Sequence, residues 1–198
     1  GFVGGVSRNY DDVLRPTLEV IGADEKAHCV VGCYMMNIKG RTIFLADATV
    51  NVQPDSRTLA EIAVQTAKVA RRFGVEPRVA MLSFSNFGSS RAQRSERIED
   101  AIEFARELDP SLVIDGPMQA DTALNGEVQK EYPFMDFKGP ANVLVLPNLA
   151  AANIAYKLLE ELGDAEMTGP ILEGMDKPVQ LVARQDGVRH IVNMAAIC

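Results

Sequence analysis

Two hydrophobic periods alternate along this chain, and that alternation limits the fold more than any other feature. Runs of strand length such as Arg78 to Phe84 and Ala141 to Leu146 are apolar on successive residues. Other segments repeat apolar residues at helical spacing, for example Leu59, Ile62, Ala63, Thr66, Val69 and Ala70. A strand apolar on both faces has to be covered on both faces, and a helix with one apolar stripe covers one. The spacing predicts helices over Asp11–Ile21, from the N-cap Asp55 to Phe73-Gly74, over Arg91–Leu108, over Gln119–Lys130, and over Ala150–Leu162 behind the cap Asn148. Pro16 places the start of the first helix, or a break in it, near Arg15. Strands are predicted at Cys29–Asn37, Thr42–Asp47, Arg78–Phe84, Leu112–Asp115 and Ala141–Leu146, the first two joined as a hairpin through Lys39-Gly40-Arg41. Pro178–Val182 reads as a short extended piece, and Val188–Ile197 is apolar again. The implied fold class is α/β: a three-layer α/β/α domain around a mainly parallel sheet with right-handed crossovers.

Composition narrows the function. The 198 residues suffice for one large or two small domains. A net charge of −7 argues against non-specific nucleic-acid binding, while leaving room for a local basic pocket. No apolar run reaches the ~18 residues of a membrane helix, and no secretory leader is visible. Cys29, Cys33 and Cys198 are too few for a disulfide framework, and the first two sit in the apolar run CVVGCYMM as buried free thiols. The expectation is a cytoplasmic protein without nucleic-acid or membrane partners. Gly1-Phe2-Val3-Gly4-Gly5 reads as the end of a strand entering a turn, as in a piece of a longer chain.

Parallel α/β sheets bind ligands beyond the C-terminal ends of their strands. That rule picks out Ser83–Ser90, Asp115–Asp121 and Pro147–Ala151. FSNFGSS, with Ser83, Ser85, Ser89 and Ser90 around Gly88, presents backbone N–H groups to an anion, or simply caps the next helix through Ser89 or Ser90. DGPMQADTALN sets Asp115, Gln119 and Asp121 among small residues, as the floor of a site or as capping groups at a turn. There is no GxGxxG, P-loop, CxxC or HExxH, and no metal site is expected. Two histidines leave little imidazole chemistry: His28 precedes a strand and reads as structural, and His190 lies near the C-terminus, available to a cleft. Arg15 and Arg184 read singly as surface arginines.

Five ordered stretches, MLSFSNFGSS, DGPMQADTAL, KGPANVLVLPNLAAANIAYKLLEELG, GPILEGMDKPV and IVNMAAI, resemble the phosphate acetyltransferase/phosphate butyryltransferase family. Asn86-Phe87 and Asn148 look like the branch in which such a domain follows a bacterial malic-enzyme module. The resemblance implies an isocitrate/isopropylmalate-dehydrogenase-like architecture of two α/β domains with a cleft between them, and dimers or higher homo-oligomers. It also implies a division into residues 1–21, the remnant of a first domain; 22–170, a complete second domain; and 171–198, a segment returning to the first.

The resemblance further implies roles for individual residues. Arg15 in VLRP and Arg184 match the family's anion-binding arginines. Ala183 stands where the family has serine, Gln185 where it has glycine, and His190 where it has the aspartate assigned as base. Ser85, Ser89, Asp115, Gln119 and Asp121 are expected as polar lining of an acyl-CoA cleft. No catalytic residue is assigned, because positions 183 and 190 depart from the pattern. The first expectation is an impaired, acyl-CoA-sensing and oligomerising domain of a malic enzyme, with acetyl-CoA or another acyl-CoA, or phosphate, as ligand. The malate-to-pyruvate chemistry, NAD(P) and Mg or Mn would then belong to an N-terminal module outside these residues. The alternatives are an active phosphate acetyl/butyryltransferase and a purely structural dimerisation module.

Overall fold

A computed structural model describes residues 1–89, 96–184 and 186–198. Ser90, the helix start predicted at Arg91, and Gln185 lie outside the described residues. The chain opens with β1 (Phe2–Gly4) and α1 (Tyr10–Val20), followed by β2 (Val31–Ile38) and β3 (Arg41–Ala46). Then come α2 (Ser56–Arg72), β4 (Arg78–Leu82), α3 (Glu96–Leu108) and β5 (Val113–Met118). Two short helices, α4 (Ala120–Leu124) and α5 (Gly126–Gln129), precede β6 (Val143–Val145) and α6 (Leu149–Gly163). The chain ends with β7 (Glu166–Glu173), β8 (Val179–Leu181) and α7 (Val188–Ile197).

The main sheet has six strands in the order β5-β4-β6-β3-β2-β7. Neighbours β5, β4, β6 and β3 are parallel, and β2 is antiparallel to both β3 and β7. Five of the six strands therefore run the same way. The layers follow the two-face pattern read from the sequence. Phe44, Ala46, Val79, Met81, Val143 and Val145 point to the side covered by α2 and α3. Their alternating neighbours Ile43, Leu45, Ala80, Leu82 and Leu144 point to the side where Ala152 and Tyr156 of α6 pack. This is a three-layer α/β/α sandwich around a mainly parallel sheet.

The hairpin forms where Lys39-Gly40 predicts it. Ile38 pairs with Arg41, and the two loop residues have φ of 49° and 72°, as a type I′ turn requires. Asp55 caps α2, its side chain accepting from the Thr58 amide at 2.8 Å. Other expectations are corrected. Pro16 lies inside α1 without starting or breaking it; the carbonyl deprived of a donor is that of the exposed Asp12, which water can serve. The helix predicted over Gln119–Lys130 is split at Asn125, whose backbone is extended and whose side chain accepts from the Glu127 amide to cap α5. The sequence scan assigned no strand to Glu166–Glu173, although this segment forms β7 and zips along β2 from Val31 to Asn37.

β1 and β8 pair in parallel as a separate two-stranded sheet. Leu14 of α1 joins Val30, Leu172, Val179 and Leu181 in a small core beneath it. Met194 of α7 and Val182 join the main core instead. The expected boundary at residue 170 falls inside β7, so the final segment is sewn into both layers.

Phe44 is fully buried at the centre of the sheet, 0% exposed, whereas Val20 is 84% exposed. Phe44→Ala is expected to lower the unfolding free energy by about 3–5 kcal/mol, and Val20→Ala to stay within about 0.5 kcal/mol. Urea unfolding followed by circular dichroism measures both.

Candidate functional site

A cleft of about 570 Å³ lies between α1, the β3–α2 loop, α6, β7 and the segment leading into α7. Tyr10, Tyr34, Thr49, Tyr156, Ala183 and His190 line it. Its position follows from the sheet order: the walls rise around β2, β3 and β7, on the half of the sheet away from β4 and β5.

One wall is built by a buried carboxylate. Asp47, 3% exposed, directly follows β3. Its Oδ1 accepts from the amides of Gly32 (3.1 Å), Thr49 (3.0 Å) and Val50 (3.2 Å). Its Oδ2 accepts from the Asn51 amide (2.8 Å) and the Asn51 side chain (2.6 Å). A buried charge is tolerated only when so solvated by donors. The backbone of β2 is part of this arrangement, since Gly32 also accepts from the Ala48 amide at 3.1 Å. Gly32 has to be glycine: a Cβ there would lie 1.8 Å from Thr49 Oγ1.

The opposite wall carries aromatic and titratable groups. The Tyr34 and Tyr156 rings stack with centroids 4.3 Å apart, and Lys157 Nζ lies 5.0 Å from the Tyr156 centroid. Burial pushes the Tyr34 phenol well above its ordinary pKa, with Tyr156 adding to the effect. Burial does the same to Tyr10, against a smaller opposing effect of the Thr49 hydroxyl. His190 Nε2 lies 3.5 Å from Asp186 Oδ2, and that oxygen accepts from the Ala183 amide at 2.6 Å.

The expected site residues separate into two groups. Ala183 and His190 line the cleft. Arg184 follows Ala183 directly, and Arg15 stands one helical turn beyond the cleft-lining Asp11; both are exposed. Ser85, Ser89, Asp115, Gln119 and Asp121 do not line this cleft. They follow β4 and β5, on the other half of the sheet. Among the described residues of the three loops at the strand ends, only those of Pro147–Ala151 reach the cleft, through Leu149.

The two polar stretches instead lock to each other. Gln119 donates from its amide to Asn86 Oδ1 (2.7 Å) and from Nε2 to the Phe84 carbonyl (2.9 Å), while its Oε1 accepts from Asn86 Nδ2 (3.1 Å). Asp115 accepts from the amides of Gly116 (2.8 Å) and Asp136 (2.9 Å), and its pKa is raised, chiefly by burial. Asp121 accepts from the Thr122 amide at 2.9 Å in the first turn of α4. Ser85 is buried, and Ser89 is exposed with its amide on the Asn86 carbonyl (2.9 Å).

Sequence reasoning missed Tyr10, Tyr34, Thr49, Tyr156, Asp186 and the organising Asp47. Asp47 was the one with a signal: a carboxylate straight after a buried strand, heading the small polar stretch DATVN. Among the described residues no cluster of His, Cys, Asp and Glu could hold a metal ion, and no helix there is long and apolar enough to cross a membrane.

The whole chain, residues 1–198, matches the family model described as phosphate acetyl/butaryl transferase. It is 40% identical over 198 residues to a phosphate acetyltransferase of Bacillus subtilis (strain 168), covering all of this chain and 61% of that protein. It is 41% identical over 197 residues to an NADP-dependent malic enzyme of Rhizobium meliloti (strain 1021), covering all of this chain and 26% of that one. In three dimensions it superposes on a phosphotransacetylase from Streptococcus pyogenes with a TM-score of 0.92 and 35% identity, covering 98% of this chain and 60% of that one. The chain thus spans less than two thirds of the length of each of these proteins.

Replacing Asp47 by Ala leaves several buried amides without an acceptor, at roughly 1–3 kcal/mol for each group. Asp47→Ala is expected to lower stability by about 3 kcal/mol or more and to speed amide exchange at Gly32, Thr49 and Asn51, measured by denaturant titration and by hydrogen exchange. Burial also raises the Cys29 and Cys33 thiols to about 12. Neither is therefore expected to react with a thiol reagent at pH 8 in the native protein, while both react in denaturant.

Proposed function

The chain belongs to the phosphate acetyl/butaryl transferase family, matched along its full length, and from that premise we propose that its cleft binds acyl-CoA and passes the acyl group between coenzyme A and phosphate. The observation that carries this reading is the meeting of His190 and Asp186 in a cleft of about 570 Å³, a volume suited to a cofactor-sized ligand. In one direction a phosphate oxygen attacks the thioester carbonyl, the carbon–sulfur bond breaks, and the electron pair leaves on sulfur. In the other, the coenzyme A thiol loses its proton, the thiolate attacks the carbonyl carbon of the acyl phosphate, the acyl carbon–oxygen bond breaks, and phosphate leaves with the electron pair. His190 takes that thiol proton, or returns it to the departing thiolate, and Asp186 steadies the imidazolium. The exposed guanidinium groups of Arg15 and Arg184 supply cations for phosphate at the edges of the cleft.

A second reading keeps the ligand and drops the turnover: an acyl-CoA-sensing, oligomerising domain of a malic enzyme, whose malate oxidation would use NAD(P) and Mg or Mn in another module. Ala183 favours it, since its methyl offers no hydroxyl where the family resemblance expects serine. In either reading a homo-oligomer is proposed. Ile154, Leu158 and Leu162, 60%, 53% and 81% exposed, form a stripe at four-residue spacing on α6.

The deciding measurement is phosphate-dependent release of thiol from acetyl-CoA and butyryl-CoA. The transferase reading expects turnover within ~1–10³ s⁻¹, falling about 10²-fold in His190→Ala. Saturable acetyl-CoA binding without phosphate-dependent thiol release overturns it in favour of the second reading. Light scattering is expected to return a dimer or larger at micromolar concentration and a smaller particle for Leu158→Glu. A wild-type monomer overturns the oligomer proposal.

A further inference from the structure

Three residues that line the cleft each carry a buried polar atom with no hydrogen-bond partner among the described residues: the Tyr10 hydroxyl, Thr49 Oγ1 and His190 Nε2. The imidazole has work in the transfer reaction, but the two hydroxyls have none. A buried hydroxyl left unpaired weakens a fold, so two of them at one cleft require a reason. Neither is there through looseness. Thr49 sits on the loop pinned by Asp47, with its own amide on that carboxylate at 3.0 Å. Tyr10 is the first residue of α1. The Thr49 hydroxyl is near enough to the phenol to lower its pKa slightly, but no hydrogen bond between the two has ordinary geometry.

The charges around them define what they can receive. The ionic groups bearing on Tyr10 are Asp47 and Asp11, both acidic. A phosphate or carboxylate placed against these hydroxyls would face two carboxylates. An uncharged oxygen would meet no such repulsion. Burial and the same acidic neighbours keep the phenol protonated, hence a donor. Tyr34 and Asp186 line the opposite wall of the same cleft. Ala183 on that wall has no hydroxyl to offer.

We propose that the Tyr10 and Thr49 hydroxyls form a donor pair that receives the uncharged thioester carbonyl of an acyl-CoA. The proposal rests on the cleft being an acyl-CoA site, and it holds with or without turnover. Two hydroxyl donors aimed at one carbonyl oxygen polarise it and fix which end of the ligand lies deep. They also make the site select for that oxygen, since a site built to donate discriminates against a ligand with nothing to accept.

The test is equilibrium binding by calorimetry in phosphate-free buffer, comparing acetyl-CoA with S-ethyl-coenzyme A, the thioether of the same shape without the carbonyl. Wild type is expected to bind acetyl-CoA about tenfold more tightly than the thioether. In the double variant Tyr10→Phe, Thr49→Val that preference is expected to vanish, through weaker binding of acetyl-CoA with the thioether unchanged. Because the variant removes unpaired hydroxyls, its melting midpoint is expected to equal or exceed that of wild type, and a large fall would mark the hydroxyls as structural and overturn the proposal. Equal affinity of wild type for both ligands overturns it, as does a preference that survives in the double variant. Loss of inorganic-phosphate binding in the variant, with carbonyl preference intact, overturns it in favour of a phosphate subsite. Carbonyl preference without phosphate-dependent thiol release leaves this pair standing and removes the transferase reading alone.

Discussion

The cleft depends on one buried carboxylate. Asp47 emerges from the end of β3 into a region with 3% exposure, where an unsolvated charge would be very costly. It is tolerated because backbone amides from Gly32 and from the loop that follows, together with the Asn51 side chain, converge on it. That convergence fixes the direction in which the chain leaves the sheet. It also ties β2 to the β3–α2 loop, because Gly32 is bonded to both Asp47 and Ala48 and has no room for a side chain. Thr49 is thereby carried to the cleft. The same carboxylate, with Asp11, makes the surroundings of the Tyr10 hydroxyl acidic.

A cleft whose Tyr10–Thr49 corner is acidic would sort a ligand by its parts. In the proposed reading the phosphates of a coenzyme, or a free phosphate, would find their partners at the exposed Arg15 and Arg184. The uncharged acyl and thioester portion suits the inner cavity, against the stacked Tyr34 and Tyr156 rings. The transferase and sensor readings share this division. They differ in whether His190 and Asp186 act on the thiol.

Much of the architecture was legible because short-range physics decided it. Lys39-Gly40 can adopt the positive φ that a tight hairpin needs. Asp55 and Asn148 each cap a helix through a side-chain oxygen. The apolar-on-both-faces runs became the inner strands. Where the reading slipped, a longer-range or subtler effect prevailed. Asn125 split a helix by offering its own oxygen to a backbone amide. β7 carries Thr168, Gly169 and Pro170 in its middle and lacks a strand-like pattern there, so it is a strand because β2 offers it an edge. The stretches FSNFGSS and DGPMQADTALN had the polarity of a site, and they use it on each other through Asn86 and Gln119.

By itself, then, the sequence determined the alternating elements, their caps and turns, the three-layer class and the family resemblance, because each is written in residues close together in the chain. It could not determine where the cleft would open. That depended on strand order: β4 and β5 took one end of the sheet, carrying Ser85, Asp115 and Gln119 with them, while β2 and β7 took the other. Tyr34 meets Tyr156, and Tyr10 meets Thr49, through the packing of α6 and α1 against the sheet. No local pattern marks such pairs, since the free energy that joins them comes from burying surfaces that are distant in the chain.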